Sequence, residues 1–307
     1  MAGVHVAAVD YAEAAEALHA VREAVFVAGQ GVPAALERDG ADPGCLHVLA
    51  RDAAGAPVGT ARLMPPGAAG DDLPRIGRMA VLPAWRGRGV GDALLAALEA
   101  LARERGWPCV ALHAQAGAIA FYARNGYLPR GPRFVEAGIR HQAMRRRLSG
   151  PVAIETRDEA VAIVQALAHR ARRQLVVHSR ALDPGLFDAP EVLEALRRLA
   201  VRGGGIGIAF VLHDAATAQR EHAPLLTLAQ RLPSVFDLRE IADPVDRGYP
   251  SAFVANDRGG GYFRPLGHRF DGEAALDADA RARQLRDLFA QVRERSRPCT
   301  ELRALGL

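Results

Sequence analysis

The 307-residue sequence contains no lysine, so arginine supplies all 39 of its positively charged side chains. Without lysine the chain can form neither the Schiff base of a pyridoxal-phosphate enzyme nor the GxxxxGK[ST] phosphate loop. The same absence excludes the His-x-Lys motif of an active phospholipase D. Composition alone therefore removes three classes of enzyme.

Cysteine is also scarce. Cys45, Cys109 and Cys299 are the only three, and no two of them form a CxxC pair. An odd number of widely spaced cysteines supports neither a disulfide framework nor a thiolate metal site. We therefore expect no metal cofactor and a reducing compartment, the cytoplasm.

Long apolar runs are missing as well. No run reaches the roughly 18 residues of a membrane-spanning helix, and the N-terminus lacks a charged segment followed by an apolar core. Residues 1–150 carry 17 positive and 14 negative side chains, and the remainder carries 22 and 21. Neither half is a basic nucleic-acid-binding arm. We expect no targeting segment, no membrane and no nucleic acid partner.

What the sequence does contain is typical of a globular protein. Half of its residues are hydrophobic, 24% are charged, and the length suits two domains. Hydrophobic periodicity predicts strands and helices up to residue 147, including a helix over 12–24, a hairpin over 47–64 and a helix over 92–105. Ser149-Gly-Pro151 interrupts the pattern, and helices and strands alternate again from residue 158, including a helix over 215–232. We predict one α/β (α+β) domain over residues 1–148 and a second α/β domain over 152–307.

The stretch RMAVLPAWRGRGVGD, from Arg78 to Asp92, predicts a strand, a turn of small residues and the start of a helix. Glycines let backbone amides face outward, and a helix N-terminus attracts anions. Arg86 and Arg88 add guanidinium groups, so the turn favours a pyrophosphate. A Rossmann turn would need glycine where Asp92 stands, which argues against a nicotinamide cofactor. Taken alone, such a turn could also be a glycine-rich connection between buried elements.

A second motif accompanies this turn. Arg86-x-x-Gly89-x-Gly91, after a strand ending Met79-Ala-Val81, is followed downstream by FYARNGY over residues 121–127. Together they resemble the signature of GNAT acetyltransferases. Further segments extend the likeness to the ElaA-like branch over roughly residues 10–146. They are VFV at 25–27, ExDG at 37–40, His47, RIGR at 75–78, AQA at 114–116 and IxHxxM at 139–144.

The resemblance implies a GNAT fold with a central mixed sheet and acetyl-CoA as co-substrate. The acceptor would be the amine of a small molecule or peptide, and a homodimer is possible. The backbone of Met79–Val81 would pair with the pantetheine arm, and Arg86–Gly91 would hold the pyrophosphate. The residues expected to bind acetyl-CoA are Met79, Ala80, Val81, Arg86, Gly87, Arg88, Gly89, Val90, Gly91 and Asp92. Gly29 departs from the branch, where an acidic residue is usual after Phe-Val-x.

Direct acetyl transfer needs an acid for the leaving thiolate, a donor to the developing oxyanion and a base for the amine. By resemblance, Tyr122 would be the acid, although aromatic packing is its alternative, and an amide around Val81 would be the donor. Glu37, His113 and His141 are the candidate bases by residue type. Glu37 is favoured because the matching loop in the family faces the acceptor. For each histidine taken alone, a structural role is the favoured alternative.

The order of elements from Leu175 to Asp257 resembles one lobe of a phospholipase D. The match is topological and lacks the nucleophile. If Asp257 is aligned as the acid of the motif, Pro250 and Ala252 stand at the His and Lys positions. Four histidines of this half, His178, His213, His222 and His268, are scattered and predict no metal site. We therefore predict a degenerate, non-hydrolytic lobe.

The predicted function is that of an N-acetyltransferase in which Tyr122 acts as general acid. Two alternatives remain open. One is a non-catalytic acyl-CoA sensor that regulates the C-terminal lobe. The other is a phosphate-ligand-binding protein that works mainly through that lobe.

Overall fold

A computed structural model describes residues 3–68, 72–220 and 224–299. These residues form two compact units. The first comprises the chain up to Ile119 together with Arg130–Ser149, and the second comprises Ala120–Pro129 and the chain from Gly150 onward. His222 lies outside the described residues.

The strands up to residue 147 follow the predicted order closely. They are β1 (Val4–Val9), β2 (Leu46–Asp52), β3 (Pro57–Met64), β4 (Arg75–Val81), β5 (Cys109–Gln115), β6 (Leu128–Pro129), β7 (Phe134–Glu136) and β8 (Ile139–Arg147). The helices are α1 (Tyr11–Arg22), α2 (Ala34–Glu37), α3 (Val90–Glu104) and α4 (Ile119–Arg124). A π-helical stretch, Glu23–Ala28, continues α1, so the predicted single helix over residues 12–24 changes its winding near its end.

The first unit is a mixed sheet in which β1, β2, β3, β4, β5 and β8 are neighbours in that order and β7 pairs with β8. Only β4 and β5 are parallel to each other among these pairs. Ala14 and Leu18 of α1 pack on Leu49 of β2. On α3, Leu94 and Val90 come so close to the sheet that a Cβ at Gly59 would lie 3.1 Å from each, which favours glycine there.

The second unit contains its own sheet. Its strands are β9 (Val152–Ile154), β10 (Gln174–Ser179), β11 (Gly207–Leu212), β12 (Phe236–Glu240), β13 (Ala252–Asn256), β14 (Gly261–Arg264), β15 (Gly272–Ala275) and β16 (Arg297–Pro298). Their order across the sheet is β16, β12, β11, β10, β13, β14, β15, β9. The strands β10, β11 and β12 run parallel, and β13 runs antiparallel to β10.

Helices alternate with these strands along the sequence of the second unit. They are α5 (Arg157–Arg170), α6 (Pro190–Val201), α7 (Ala215–Arg220), α8 (Pro224–Arg231), α9 (Pro244–Arg247) and α10 (Asp279–Arg295). Thr156 and Glu159 form a capping box that starts α5. Leu285, Phe289 and Val292 of α10 pack on Val176 and Phe253 to form a core on one face of the sheet.

The mixed α/β class expected from the sequence is confirmed in both units. The helix predicted over 215–232 corresponds to α7 and α8. Residues 221–223 between them lie outside the described residues. The short strands β9, β15 and β16 were not predicted. The phospholipase-D-like topology of the second unit is not confirmed and stays a prediction.

Candidate functional site

The strands β4 and β5 separate shortly after they begin to pair. Their register joins Arg75 to Ala111 and Ile76 to Leu112 and extends no further among the described pairs. The pairing of β4 with β3 shifts in register opposite Thr60–Arg62. Arg78, at this bulge, has a φ of 49°, which is rare for a residue with a side chain. Parallel strands that diverge leave room between them for a bound molecule.

The glycine turn follows β4 directly. Gly87 and Gly89 have φ angles of 73° and 81°, a left-handed conformation that glycine adopts without strain. A Cβ at Gly87 would meet nothing within 4 Å, so the backbone conformation, and not crowding, favours glycine there. Gly89 caps α3 without a side-chain hydrogen bond, and the first amides of a helix have no acceptor within that helix. The 15-residue α3 thus presents an uncapped N-terminus at this turn.

The arginines of the turn are exposed. The Nε atom of Arg86 donates to the carbonyl of Val81 at 3.1 Å, so Arg86 bridges the end of β4 and the turn. The guanidinium of Arg88 lies over the ring of Trp85, 5.1 Å from its centroid. Asp92 is in the first turn of α3, where the helix dipole favours a negative charge.

Glu37 has a different environment from the one expected of a base that faces the acceptor. It is only 2% exposed, and one carboxylate oxygen accepts a short hydrogen bond from Nε of Arg22. The other oxygen has no hydrogen-bond partner among the described atoms and lies 3.8 Å from Nδ1 of His19. Glu37 therefore belongs to a group of charges, which we call the ion cluster: Arg22, Glu37, Asp42 and Arg62, which are buried, and Asp39, whose side chain is 32% exposed.

Two aspartates complete the ion cluster. Asp42 accepts from Arg22 at 2.9 Å and from Arg62 at 2.8 Å, and Asp39 accepts from both terminal nitrogens of Arg62. Burial would raise the pKa of Asp42, but hydrogen bonds from Arg22 and Arg62 outweigh it and the pKa is lowered. The hydrogen bond from Arg62 holds the pKa of Asp39 well below its usual range. Both carboxylates are therefore ionised at neutral pH.

Arg78 connects the ion cluster to the bulge of β4. Its Nε donates to the carbonyl of Glu37 at 3.1 Å, and its Nη2 donates to the carbonyl of Leu36 and to Asp39. Arg78 thereby holds residues 36–39, at the end of α2, against β4. By resemblance, the loop with Glu37 faces the acceptor and β4 binds acetyl-CoA, so these hydrogen bonds join the two parts of the expected site.

His113 is the first residue of β5 beyond its last pair with β4. Its Nδ1 lies 3.0 Å from a carboxylate oxygen of Glu136 on β7. Because a carboxylate can only accept, Nδ1 carries the proton, and in the neutral ring Nε2 holds the free electron pair. Gln115, two residues on and therefore on the same face of β5, exchanges side-chain hydrogen bonds with Gln30 beyond the π-helical stretch.

His141 is close to this pair. Its ring stacks on Phe134, and the edge of Phe134 meets His113 at a centroid distance of 4.8 Å. Nδ1 of His141 lies 2.9 Å from the carbonyl of Ile139, so this nitrogen is also the donor. His141 is 9% exposed, whereas the side chain of His113 is 32% exposed. His113 is therefore the more accessible of the two imidazoles.

Tyr122 lies on α4 and is buried among aromatic rings. Its ring meets Phe121 and Tyr127 edge to face at centroid distances of 4.9 and 5.8 Å. Burial raises the pKa of Tyr122 to about 12. Its hydroxyl therefore keeps its proton throughout the neutral range.

The roles of Arg22, Arg62 and Glu136 were missed in the sequence. Arg62 interrupts an apolar strand, and a charge within a buried strand needs a partner, so a signal for the ion cluster was present. The pair of His113 and Glu136 gave no such signal, because 23 residues separate them and β7 does not neighbour β5 in the sheet. Within residues 3–68, 72–220 and 224–299, no group of three or more potential ligands could hold a metal ion. No helix in the same ranges is long and apolar enough to cross a membrane.

Comparisons with known proteins agree with the fold of the first unit. Residues 9–148 match the family described as acetyltransferase (GNAT) domain, and residues 156–305 match a domain of unknown function, DUF7931. The Bacillus subtilis protein named uncharacterized N-acetyltransferase YjcF is 36% identical over 125 residues, which cover 40% of this chain and 86% of that protein. A second B. subtilis relative, whose name also describes an acetyltransferase, is 35% identical over 130 residues. These residues cover 41% of this chain and 85% of that protein.

Solved structures are also similar to the chain. One is Escherichia coli ElaA, 29% identical, covering 47% of this chain and 99% of that one with a TM-score of 0.42. An acyl-CoA N-acyltransferase from Pseudomonas aeruginosa is 31% identical with the same coverage and TM-score. The sequence relatives define the protein as an acyltransferase. More narrowly, the chain belongs to the GNAT acetyltransferase family, whose members act on amines of small molecules or peptides.

Proposed function

We propose that the protein transfers an acetyl group from acetyl-CoA to the amine of a small molecule or peptide. The observation that carries the proposal is the early separation of β4 from β5, directly before a glycine turn at the N-terminus of α3. The space between the separated strands suits the thioester arm, and the glycine turn suits the pyrophosphate. No other part of the first unit combines the two among its described residues.

The residues present fit acetyl-CoA. Met79–Val81 lie on the part of β4 beyond its pairing with β5, and in our proposal their backbone pairs with the pantetheine arm. The amides from Gly87 to Gly91, together with Arg86 and Arg88, hold the pyrophosphate at the start of α3. Acetyl-CoA supplies the activated acyl group, and the amide of Val81 donates to the reacting carbonyl oxygen.

We assign the role of general base to His113 rather than to Glu37. Glu136 holds the Nδ1 proton of His113, so Nε2 is directed to accept a proton, as in other catalytic histidine–carboxylate pairs. Glu37 is already bound to Arg22 and buried, and we propose that it positions the acceptor segment through its contacts with Arg22 and Arg78. His141 is a second candidate base, and its stacking on Phe134 supports the His113 ring.

Tyr122 is proposed, on the family resemblance, as the group that meets the departing thiolate. A phenol with a pKa of about 12 gives up its proton reluctantly. We therefore propose that Tyr122 stabilises the thiolate by donating a hydrogen bond and keeps its own proton, while the base passes the amine proton to solvent and the thiolate of CoA takes a proton from solvent as it leaves. The cytoplasm stays our proposal for the compartment, because all three cysteines are free thiols.

The proposal is tested by CoA release with a panel of amines and by acetyl-CoA titration. We expect His113→Gln to lower kcat by roughly 10²-fold or more. His5→Gln, an exposed histidine on β1, is the matched control and should behave as wild type. Tyr122→Phe should lower kcat with little change in the acetyl-CoA dissociation constant, because its hydroxyl acts only on the reacting sulfur.

Three results would decide against parts of the proposal. Saturable binding without turnover of any amine would favour an acyl-CoA sensor. Binding unaltered by Gly89→Asp would remove the glycine turn from the site. Turnover that survives in His113→Gln but is lost in His141→Gln would transfer the role of base to His141.

A further inference from the structure

A polar cavity of about 470 Å³ lies in the second unit, outside everything assigned above. Four arginines, three aspartates and one glycine line it. It is enclosed by the C-terminal end of α5, the turn between β13 and β14, and the N-terminal end of α10. Its volume falls within the range of sites that bind small molecules.

Three of the four arginines have no carboxylate partner. Arg170 pairs with Asp277. In contrast, the guanidinium groups of Arg258, Arg283 and Arg286 form no ion pair or hydrogen bond with any other residue that the structure describes. Nε of Arg286 is buried and lacks an acceptor. Because a buried donor without a partner is unfavourable, Arg286 is arranged for an acceptor that the described residues do not supply, and the exposed guanidinium groups of Arg258 and Arg283 are available to the same acceptor.

The carboxylates of the cavity do not fill this need. Asp257 accepts the backbone amides of Arg172 and Arg173 at 2.9 and 2.8 Å, which holds the start of β10 in place. Asp277 is engaged by Arg170. Asp279 occupies the first turn of α10, where the helix dipole stabilises it. The lining therefore keeps one net positive charge, concentrated on the arginines without partners.

The wall formed by the β13–β14 turn is held firmly. Oδ1 of Asn256 accepts the amides of Arg258 and Gly260 at 2.9 Å, and its Nδ2 donates to the carbonyl of Leu167. Gly259 has a φ of 77°, and a Cβ there would lie 2.1 Å from Oδ1 of Asp279. A side chain at this position would be strained by the left-handed backbone and would displace the Asp279 carboxylate, so glycine is favoured there. The carbonyl of Gly259 accepts the amide of Ala278 at 2.8 Å, which joins the turn to the start of α10.

We propose that this cavity is a binding site for a small oxyanion-bearing molecule, a phosphate ester or a carboxylate. Each guanidinium carries five N–H donors in a planar fork that matches the oxygens of these groups. The 17-residue α10 begins at the cavity, and its first amides add to the attraction for an anion. The volume leaves room for a body attached to the anionic group. The site does not depend on the acetyltransferase proposal, because no residue is shared.

The test is calorimetric titration of the full-length protein with inorganic phosphate, ribose 5-phosphate, ribose and malonate at constant ionic strength. Ribose 5-phosphate and ribose differ only by the phosphate. We expect saturable binding of ribose 5-phosphate or of malonate, which distinguishes an ester phosphate from a carboxylate, and none of ribose. Lack of saturable binding by all the anions would overturn the proposal.

Variants locate the binding. Arg283→Gln/Arg286→Gln should weaken it by roughly 100-fold, since two charge-assisted contacts are lost. Arg281→Gln is the control, because it removes one arginine charge from the same helix. Arg281 lies over Phe263 and does not line the cavity, so this variant should bind the anion as wild type does. Asp279→Asn removes a negative charge and should tighten binding by roughly threefold to tenfold. Equal affinity in wild type, the double variant and Asp279→Asn would overturn the proposal.

Discussion

Arginines form buried ion pairs in the first unit and line an open polar cavity in the second. In the first, Arg22 and Arg62 are buried and every aspartate of the ion cluster accepts from one or both of them. In the second, Arg258, Arg283 and Arg286 at the cavity form no ion pair with the described residues, while Asp257 holds backbone amides and Asp277 holds Arg170. The difference shows that the residue type does not decide between structure and binding. The number of acceptors within reach decides it.

The largest expected effect comes from the ion cluster. Arg22→Met removes the cation between Glu37 and Asp42 and leaves both carboxylates buried, so the free energy of unfolding should fall by about 3–5 kcal/mol. Both tryptophans, Trp85 and Trp107, lie in the first unit, so their fluorescence during urea unfolding reports on it. Arg38→Met breaks the exposed pair with Glu23 and should cost about 1 kcal/mol or less. Equal losses in the two variants would contradict the assignment.

A smaller effect is expected from pH in the second unit. His178 is fully buried against Phe253, and burial, followed by the nearby His213, lowers its pKa to about 4. The unfolded chain then binds the proton more readily than the folded one, so stability is present above the unfolded pKa of 6.5 and is lost as pH falls towards 4.

From pH 7 to pH 5 this histidine should cost the second unit about 2 kcal/mol. Urea unfolding followed by far-UV circular dichroism at the two pH values measures it. His178→Phe keeps a ring against Phe253 without a titrating nitrogen, so most of the pH dependence should vanish. If His178→Phe kept a pH dependence of stability as large as that of wild type, the effect would come from groups other than His178.

The smallest effect should come from the cavity. Arg283→Gln/Arg286→Gln removes two cations that have no ion pair among the described residues, so the free energy of unfolding should change by about 0.5 kcal/mol or less. The measurement is the same urea unfolding, without added phosphate. A loss near that of Arg22→Met would place these arginines in structural ion pairs and remove the contrast between the units.

Local patterns in the sequence predicted much of the fold. The strand-like run in Val58–Met64 and the helical stripe on α3 are recognisable because short segments carry these patterns themselves. The turn from Arg86 to Gly91 was located for the same reason, since glycine conformation and a helix start are local properties. The role of Glu37 was less accessible, because its partner Arg22 lies 15 residues away and on another element.

The sequence by itself determined the order of elements, the position of the glycine turn and the chemistries excluded by the missing lysine. Tertiary structure alone decided which charges are satisfied. It paired His113 with Glu136 across the sheet, and it brought Arg258 of one turn beside Arg283 and Arg286 of α10. Backbone periodicity depends on neighbours in the chain, whereas the energy of a charge depends on neighbours in space, and these are fixed only when the sheet and helices have packed.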